Sequence, residues 1–374
     1  MRTTSRTVLG VIGLLLSAAW HPAFAGDWPT WRFDSARSGA CPEKLSEELH
    51  LRWRRDLVPV TPAWPLERRM QFDACYEPVV SGKQLFVGSP IDGSVTAYDT
   101  ETGKRNWRVS TNGPVRFAPV AWQDKLYVAS DDGRVHCLAA ATGAPVWTFR
   151  AAPAERPDLQ HLGNGRLISF WPVRGGPVIA NDTLYIGSGL WPVLGTFMYA
   201  LDPESGAVKW CNPRLNHMLG IRTDHNRVSE SSLCPQGYLV FAKNRLLVPN
   251  GRSMPVGLDP ATGKLMYYVQ GYRNGHWRVT AQEQFVFVGA DAVLDIATGR
   301  EMGERWHEGH PETPREYSQR TDLFETPFVP YKFMKGCDAW SVLAGGVAYG
   351  AYHGTFYAHD VSGAYKTVYR KKKG

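Results

Sequence analysis

One ten-residue pattern recurs along the chain with its key positions fixed. It reads YDTETGKRNW from Tyr98 to Trp107, LAAATGAPVW from Leu138 to Trp147 and LDPESGAVKW from Leu201 to Trp210. Each copy places a Trp four residues past a Thr-Gly or Ser-Gly pair, and the first and last add an acid before it. Aligning the copies on the Trp extends the match upstream. Pro78, Pro119 and Pro177 each precede an apolar pair, and Leu85, Leu126 and Leu184 follow seven residues later, opening LFVGS, LYVAS and LYIGS. The spacing from Gly93 to Gly103 equals that from Gly133 to Gly143. Self-similarity at a period of about 40 residues is the mark of a repeat architecture, in which each unit buries its faces against its neighbours.

Each unit holds four short β-rich segments separated by turn signals, which predicts an all-β fold, a β-propeller of four-stranded blades. The strands are lettered A to D from the channel outward: A is PVV in the first unit, B is LFVGS, C is VTAYD and D carries the Trp. The Gly of Thr-Gly makes the C–D turn, because glycine alone enters positive φ without steric cost. The repeat residues Gly103, Trp107, Gly143, Trp147, Gly206, Trp210 and Gly263 are therefore read as structural. The Trp is expected to pack between blades, with its indole N–H reaching a backbone carbonyl of a neighbouring turn. Three weaker units follow, with Tyr267 and Gly303 in the Trp position of the fourth and fifth, so about six blades are readable between residues 76 and 370. LHLRWRRDL (49–57) reads as a leftover strand D around Trp53 within a lead-in of residues 26–58. Propellers close by letting a terminal strand complete the last blade. The sixth unit already has its own D segment, YKTVYR, unless that stretch is not a strand. The complete design is thus expected to have seven or eight blades, with residues 371–374 a basic tail at a truncation point.

Residues 1–25 read as a secretory signal: Arg2 and Arg6, an apolar run, then AFA before Gly26, with cleavage near Ala25. The run is too short to span a bilayer, so the protein is expected to be exported, periplasmic or secreted, without a transmembrane anchor. The charge of +7 loses two units with that segment and owes four more to the terminal RKKK, so no nucleic-acid footprint is present. The six cysteines show neither CxxC nor metal-ligand spacing. Cys211 and Cys234 bracket one long connection and are the candidate disulfide, with two free thiols as the alternative.

Three long non-repeat stretches, residues 151–170, 211–235 and 304–336, follow a strand D and precede a strand A; a smaller insert, 190–195, lies between B and C. D–A and B–C connections emerge on one face of a propeller, so these elaborations are expected to gather around one mouth of the channel. Long loops on a rigid scaffold are where binding concentrates. The candidate ligand-face residues are His161, Arg166, Trp171, Arg174, Trp191, His217, Arg222, Asp224 and His225, with Asn216, Arg227 and Glu230 beside them. Arginines can clamp carboxylate or phosphate bidentately, tryptophans can stack on a flat ring or a sugar, and the His/Asp/Arg mix of residues 217–230 could serve an acid–base pair. Each of these residues singly is also explained by an ordinary loop ion pair or cap.

The D-x-x-T-G-x-x-x-W units and the lead-in WPTWRFDSARSG (28–39) resemble the pyrroloquinoline-quinone (PQQ) repeat propellers, which include quinoprotein alcohol dehydrogenases and an outer-membrane-assembly lipoprotein propeller. LGNGRLISFWPVRGGP and GLWPVLG look like segments of large exported bacterial proteins of that family. The resemblance implies PQQ with calcium as the cofactor, if the chain is a dehydrogenase acting on an alcohol or a sugar. It also implies motifs that are missing here: there is no Cys-Cys pair, no haem-attachment motif and no Trp-Asp-Tyr segment, and Asp224 and Asp338 stand alone. No catalytic residue and no metal ligand is therefore assigned. The leading expectation is a non-catalytic module offering one loop-rich face to a protein, peptide or glycan; the second is a PQQ-dependent dehydrogenase or a divergent remnant of one.

Overall fold

The computed structural model describes residues 26–43, 48–163, 165–216, 218–222, 227–270, 275–289 and 292–299, and the backbone of four strands between 340 and 372. Residues 1–25, which read as a secretory signal in the sequence, and the third insertion, residues 304–336, lie outside the described residues. Blade 1 consists of Val79–Ser81, Gln84–Gly88, Ser94–Asp99 and Arg105–Ser110, hydrogen-bonded in chain order as one antiparallel sheet. Blade 2 repeats this with Val120–Trp122, Lys125–Ala129, Arg134–Ala139 and Pro145–Arg150. Blade 3 is Val173–Ala180, Thr183–Ser188, Phe197–Leu201 and Val208–Asn212; blade 4 is Val240–Ala242, Arg245–Asn250, Ser253–Leu258 and Leu265–Gln270. Val279–Gln282, Phe285–Val288 and Ala292–Asp295 give strands A to C of blade 5. Trp340–Ala344, Val347–Tyr352, Thr355–Asp360 and Thr367–Lys372 form a further four-stranded sheet, so YKTVYR does contribute a strand.

Strand periodicity explains why these segments are apolar throughout. Successive side chains point to opposite faces of a sheet, and a blade has a neighbour on each face. In Lys125–Ala129, Leu126 and Val128 pack with Phe86 and Val95 of blade 1, while Tyr127 and Ala129 pack with Leu184 and Ile186 of blade 3. Tyr185 in turn faces Leu246 and Val248 of blade 4, and Leu247 faces Val286 and Val288 of blade 5. The core is thus a series of inter-blade layers, each buried aliphatic or aromatic side chain contributing about 1.5–3 kcal/mol.

The recurring Gly and Trp belong to one inter-blade joint. Gly103, Gly143, Gly206 and Gly263 adopt φ of +66°, +73°, +73° and +69°, and each presses on the indole of Trp53, Trp107, Trp147 and Trp210 respectively. The same indoles donate Nε1–H to Thr100, Ala140, Pro203 and Pro260 carbonyls at 2.8, 3.0, 3.1 and 2.9 Å. Tyr267 substitutes faithfully, donating its hydroxyl to the Ile296 carbonyl at 2.9 Å. The acid closes the turn: Asp99, Asp202, Asp259 and Asp295 each accept from the backbone N–H and hydroxyl of the Thr or Ser three residues on. A Cβ on Gly143 would lie 2.7 Å from Trp107 Cε3. Gly143→Ala is therefore expected to cost about 2–3 kcal/mol in urea unfolding, from left-handed backbone and overpacking together. Gly82, at φ +56° with nothing within 4 Å of its Cβ position, carries only the first penalty and should lose less on the same substitution.

Trp53 occupies the same joint against blade 1, as a strand D would, and Arg55 Nε and Nη2 donate to the Gly103 carbonyl. Residues 49–62 nevertheless form no ladder among the described residues. The start of the lead-in fills the channel. Trp28 bridges Val80, and Pro29, Ser35 and Ala36 carbonyls accept from Ala121, Phe241 and Ala281 N–H groups, each at 2.8 Å, along the inner edges of four blades. Trp31 stacks on Tyr238 (4.2 Å, 8°), and Arg37 is fully buried on the axis.

The expected Cys211–Cys234 staple is not formed; both are free thiols. Cys211 lies on strand D of blade 3 beside the Tyr199 hydroxyl, whereas Cys234 is half-buried and directs its thiol to the Leu190 carbonyl at 3.1 Å. Strand D is the outermost strand of its blade and Cys234 sits on the connection that precedes the next strand A, so the two sulfurs are held on different segments with separate partners.

Candidate functional site

The B–C turns and D–A connections do share one face. In blade 2 the B–C turn receives Asp131 N–H on the Pro114 carbonyl at 2.9 Å and offers Asp131 and Ser130 carbonyls to Ser169 and Val173 N–H at 2.8 and 3.2 Å. Register then fixes what the blades present there. Val120, Val178 and Val240 pair with Tyr127, Tyr185 and Leu247 at equivalent points of the A–B ladders. Four residues before them stand Arg116, Arg174 and Gln236, three polar side chains set at one level of the channel mouth by three successive blades.

All three are buried, and so are the carboxylates that meet them. Asp131 takes Arg174 Nε and Nη2 at 2.6 and 2.9 Å in a fork and Arg116 Nε at 2.6 Å. Arg116 Nη1 then donates to Asp73 at 2.5 Å. The result is a closed chain Asp73–Arg116–Asp131–Arg174 with no net charge. Burial alone would push the Asp131 carboxyl up, but the Arg174 and Arg116 guanidiniums together outweigh it and hold it below the ordinary range. For Asp73 burial wins over Arg116, and its carboxyl is pushed up. Burial and the nearby Arg69 and Arg278 press His276, at the corresponding position of blade 5, down to about 3, so it is neutral.

Asp73 belongs to no blade. It comes from the connection before blade 1, which crosses the mouth and is pinned at several points. Phe72 stacks on Phe117 (4.8 Å, 5°) with the Arg174 guanidinium 5.8 Å from its ring centre. Trp64 donates Nε1–H to Gln236 Oε1 at 3.0 Å and meets Trp191 edge-on at 6.2 Å. The Arg69 carbonyl accepts from Trp277 N–H at 2.9 Å.

The residues singled out from the sequence divide into three groups. Trp191 stands where expected, 47% exposed in the B–C insert of blade 3. His161 and Arg166 lie on a hairpin, Gln160–Gly163 with Arg166–Ser169, on the same face; His161 packs edge-on against Phe170 and Arg166 is exposed beside Asp92 and Asn112. Arg174 and Trp171 are not loop residues open to a ligand. Arg174 is 2% exposed and consumed by Asp131, and Trp171, 4% exposed, donates Nε1–H to the Leu194 carbonyl at 2.9 Å. The second insertion goes elsewhere. Met218–Arg222 and Arg227–Ser231 form a hairpin that docks parallel on the outermost strand of blade 4 through Ile221 and Arg222, away from the channel. Arg222, Arg227 and Glu230 sit there, Asn216 is exposed just before it, and His217, Asp224 and His225 lie outside the described residues.

Sequence reasoning missed Asp73, Arg116, Asp131 and Gln236. A signal for Arg116 was present: PVRFAPV at 114–120 repeats the Arg of PVRGGPV at 172–178, Arg174, at the same place in consecutive units.

With the geometry set out, the likenesses to known proteins can be placed on it. The family model described as outer membrane protein assembly factor BamB, built on PQQ-type repeats, matches residues 50–213 and 91–362. The dehydrogenase subunit of the alcohol dehydrogenase (quinone) of Gluconacetobacter polyoxogenes is 27% identical over 242 residues, covering 59% of this chain and 30% of that protein. The chain thus matches under a third of the length of its first curated relatives. Among solved structures, the quinohemoprotein alcohol dehydrogenase ADHIIG of Pseudomonas putida HK5 superposes with a TM-score of 0.55 at 16% identity, covering 89% of this chain and 58% of that one. A europium-containing methanol dehydrogenase gives 0.52 at 13% identity over 93% and 86% of the two chains. These structural likenesses establish the propeller fold.

Proposed function

The chain belongs to the PQQ-repeat family whose model is described as outer membrane protein assembly factor BamB, and we propose that it is an exported, non-catalytic propeller that docks a protein through its loop-rich face. The observation that carries this reading is where the apolar surface lies. Leu159, Leu162 and Leu167 on the first hairpin, Trp191 and Val193 in the blade 3 insert and Leu66 in the mouth-crossing connection are exposed by 45, 71, 59, 47, 92 and 98%. Five sit on the D–A or B–C connections of blades 2 and 3, and Leu66 sits on the connection that crosses the mouth. Other exposed apolar side chains are spread over the outermost strands (Val146, Val208, Leu265 and Met266) and residues 49–58 (Leu49, Leu51, Leu57 and Val58). The six at the mouth share one face of a rigid scaffold, which favours an interaction site there.

The dehydrogenase reading draws on the relatives named as quinone alcohol dehydrogenases. PQQ is a planar tricarboxylate, so it needs a flat slot and uncommitted cations. At this channel mouth both arginines are already paired with this chain's carboxylates, and Phe72 covers Phe117. Among the described residues no cluster of three His, Cys, Asp or Glu side chains is arranged to hold a metal. The residues present at this mouth do not fit the cofactor.

A photo-crosslinking side chain placed at Leu162 or Val193 is expected to capture an envelope protein, and one placed at Val146, exposed on the outermost strand of blade 2, to capture none. Equal capture from all three would overturn the docking face. Titration with PQQ and calcium followed by dye reduction with alcohols and sugars tests the other reading; stoichiometric binding with turnover would replace the non-catalytic assignment.

A further inference from the structure

We propose that residues 62–75 form a strap that lifts as a unit from the channel mouth, latched there by Asp73 acting as an internal carboxylate ligand of Arg116. Three observations lead to this.

The first is the anchoring. Of the fourteen residues only Ala63, Phe72 and Asp73 are buried; Pro65, Leu66, Arg68, Ala74 and Cys75 are exposed. The strap adds no strand to any sheet. A segment with few buried apolar contacts and no ladder belongs to the low-stability end of a fold, while the blades beneath it are tied into inter-blade cores.

The second is the division of the charge chain. Arg116, Asp131 and Arg174 are all carried by blades 2 and 3, and Asp131 alone neutralises only one of the two guanidiniums. Asp73 supplies the missing charge from outside the scaffold. Its remaining partner is the Ala63 N–H of the strap itself, 3.1 and 3.0 Å from the two oxygens. The strap therefore wraps its own carboxylate and presents it to the frame much as a separate ligand would.

The third is what closure leaves unsatisfied. Gln236 Oε1 is fixed by the Trp64 indole N–H, which orients the amide, and Gln236 Nε2 is then buried with no oxygen or nitrogen acceptor among the described residues, facing only the weakly accepting Cys234 sulfur. A buried donor without an acceptor carries an uncompensated desolvation cost, and the Asp73 carboxylate also remains disfavoured by burial. Both penalties are relieved when the strap lifts and water enters. Lifting uncovers Arg116, Arg174, Gln236 and the aromatic floor of Phe117, so the latch governs whether the mouth is a sealed surface or an open, cationic pocket with an aromatic floor.

Site-resolved hydrogen exchange on the full chain tests the latch. In the unsubstituted protein the strap amides and Trp277 N–H, which is held by the Arg69 carbonyl, are expected to exchange with little dependence on low urea. The Val128 and Ile186 amides of the blades should depend on it strongly, as global unfolding requires. The isosteric Asp73→Asn, which removes a contact made only in the latched state, should speed the Trp277 amide by about tenfold or more. A common urea dependence for strap and blades in the unsubstituted protein would overturn the proposal, because the strap would then be integral core. So would a Trp277 amide whose exchange Asp73→Asn leaves unchanged.

Discussion

Replacing Asp131 by asparagine is expected to destabilise the protein by about 3–5 kcal/mol in urea unfolding, the cost of breaking a buried ion pair from one side. Asp131 is 1% exposed and holds two guanidiniums that are themselves buried. The amide keeps the shape and removes the charge, leaving Arg116 and Arg174 adjacent with only Asp73 to balance them. A matched contrast is available on the surface. Arg134 and Asp158 also approach to 2.5 Å, but the Asp158 side chain is 47% exposed. Asp158→Asn should cost about 0–1 kcal/mol, because water and salt screen an exposed pair. Equal losses would mean that the central chain of charges is solvated and that the mouth is not sealed. The pH dependence has a defined sign. The folded carboxyl of Asp131 lies below its unfolded value. Its contribution is therefore complete above the ordinary carboxylate range and is lost as pH falls through the depressed folded value. The acid limb of the stability curve should flatten in Asp131→Asn.

The blades were legible because their signals are local and repeated. Asp, Gly and Trp at fixed spacing mark a turn whose glycine touches the Trp of the previous blade, and a motif that must satisfy two blades at once tolerates little drift. Even the substitution of Tyr267 for Trp kept a polar tip that reaches the next turn. The mouth was much less legible. Asp73 and Arg116 are 43 residues apart in sequence, and neither carries a pattern that names the other. Arg174 and Trp171 were assigned to a loop because they follow an insertion. The D–A connection, however, delivers its last residues into the buried start of strand A, and side chains there face the axis. The second insertion was placed at the mouth by connectivity alone; the parallel pairing of Ile221 with Val269 carried it to the outer edge of blade 4 instead. Connectivity says from which face a loop departs, and only packing says where it lands.

The lead-in shows the same limit from the other side, since WPTWRFDSARSG resembles a family feature without disclosing its use. In the structure it is the axial core, and Arg37 is its anchor. Arg37 is 0% exposed. Its guanidinium donates to the Leu239 carbonyl at 2.9 Å, the Pro177 carbonyl at 2.8 Å, the Trp31 carbonyl at 3.2 Å and the Thr30 hydroxyl, and it lies 5.6 Å from the centre of the Tyr238 ring. It forms no salt bridge to a carboxylate among the described residues, and burial lowers its pKa to about 10, which still leaves it charged at neutral pH. Arg32, Phe33 and Arg37 itself take φ of 56°, 77° and 62°, a strained course that persists only where surrounding bonds over-determine it. Arg37→Ala removes the donor fan and leaves several buried acceptors facing a void. With two or three of them unsatisfied at about 1–3 kcal/mol each, the loss should reach about 3–6 kcal/mol. Arg37→Lys keeps the charge but cannot span acceptors on blades 3 and 4 at once, and should recover less than half of that loss. Limited proteolysis separates this from a local effect. If Arg37 pins the lead-in across the channel, Arg37→Ala should expose bonds in residues 26–39 and loosen the inner edges of the four blades that segment joins. Cleavage confined to the lead-in, with blade stability unchanged, would show that the channel closes without it.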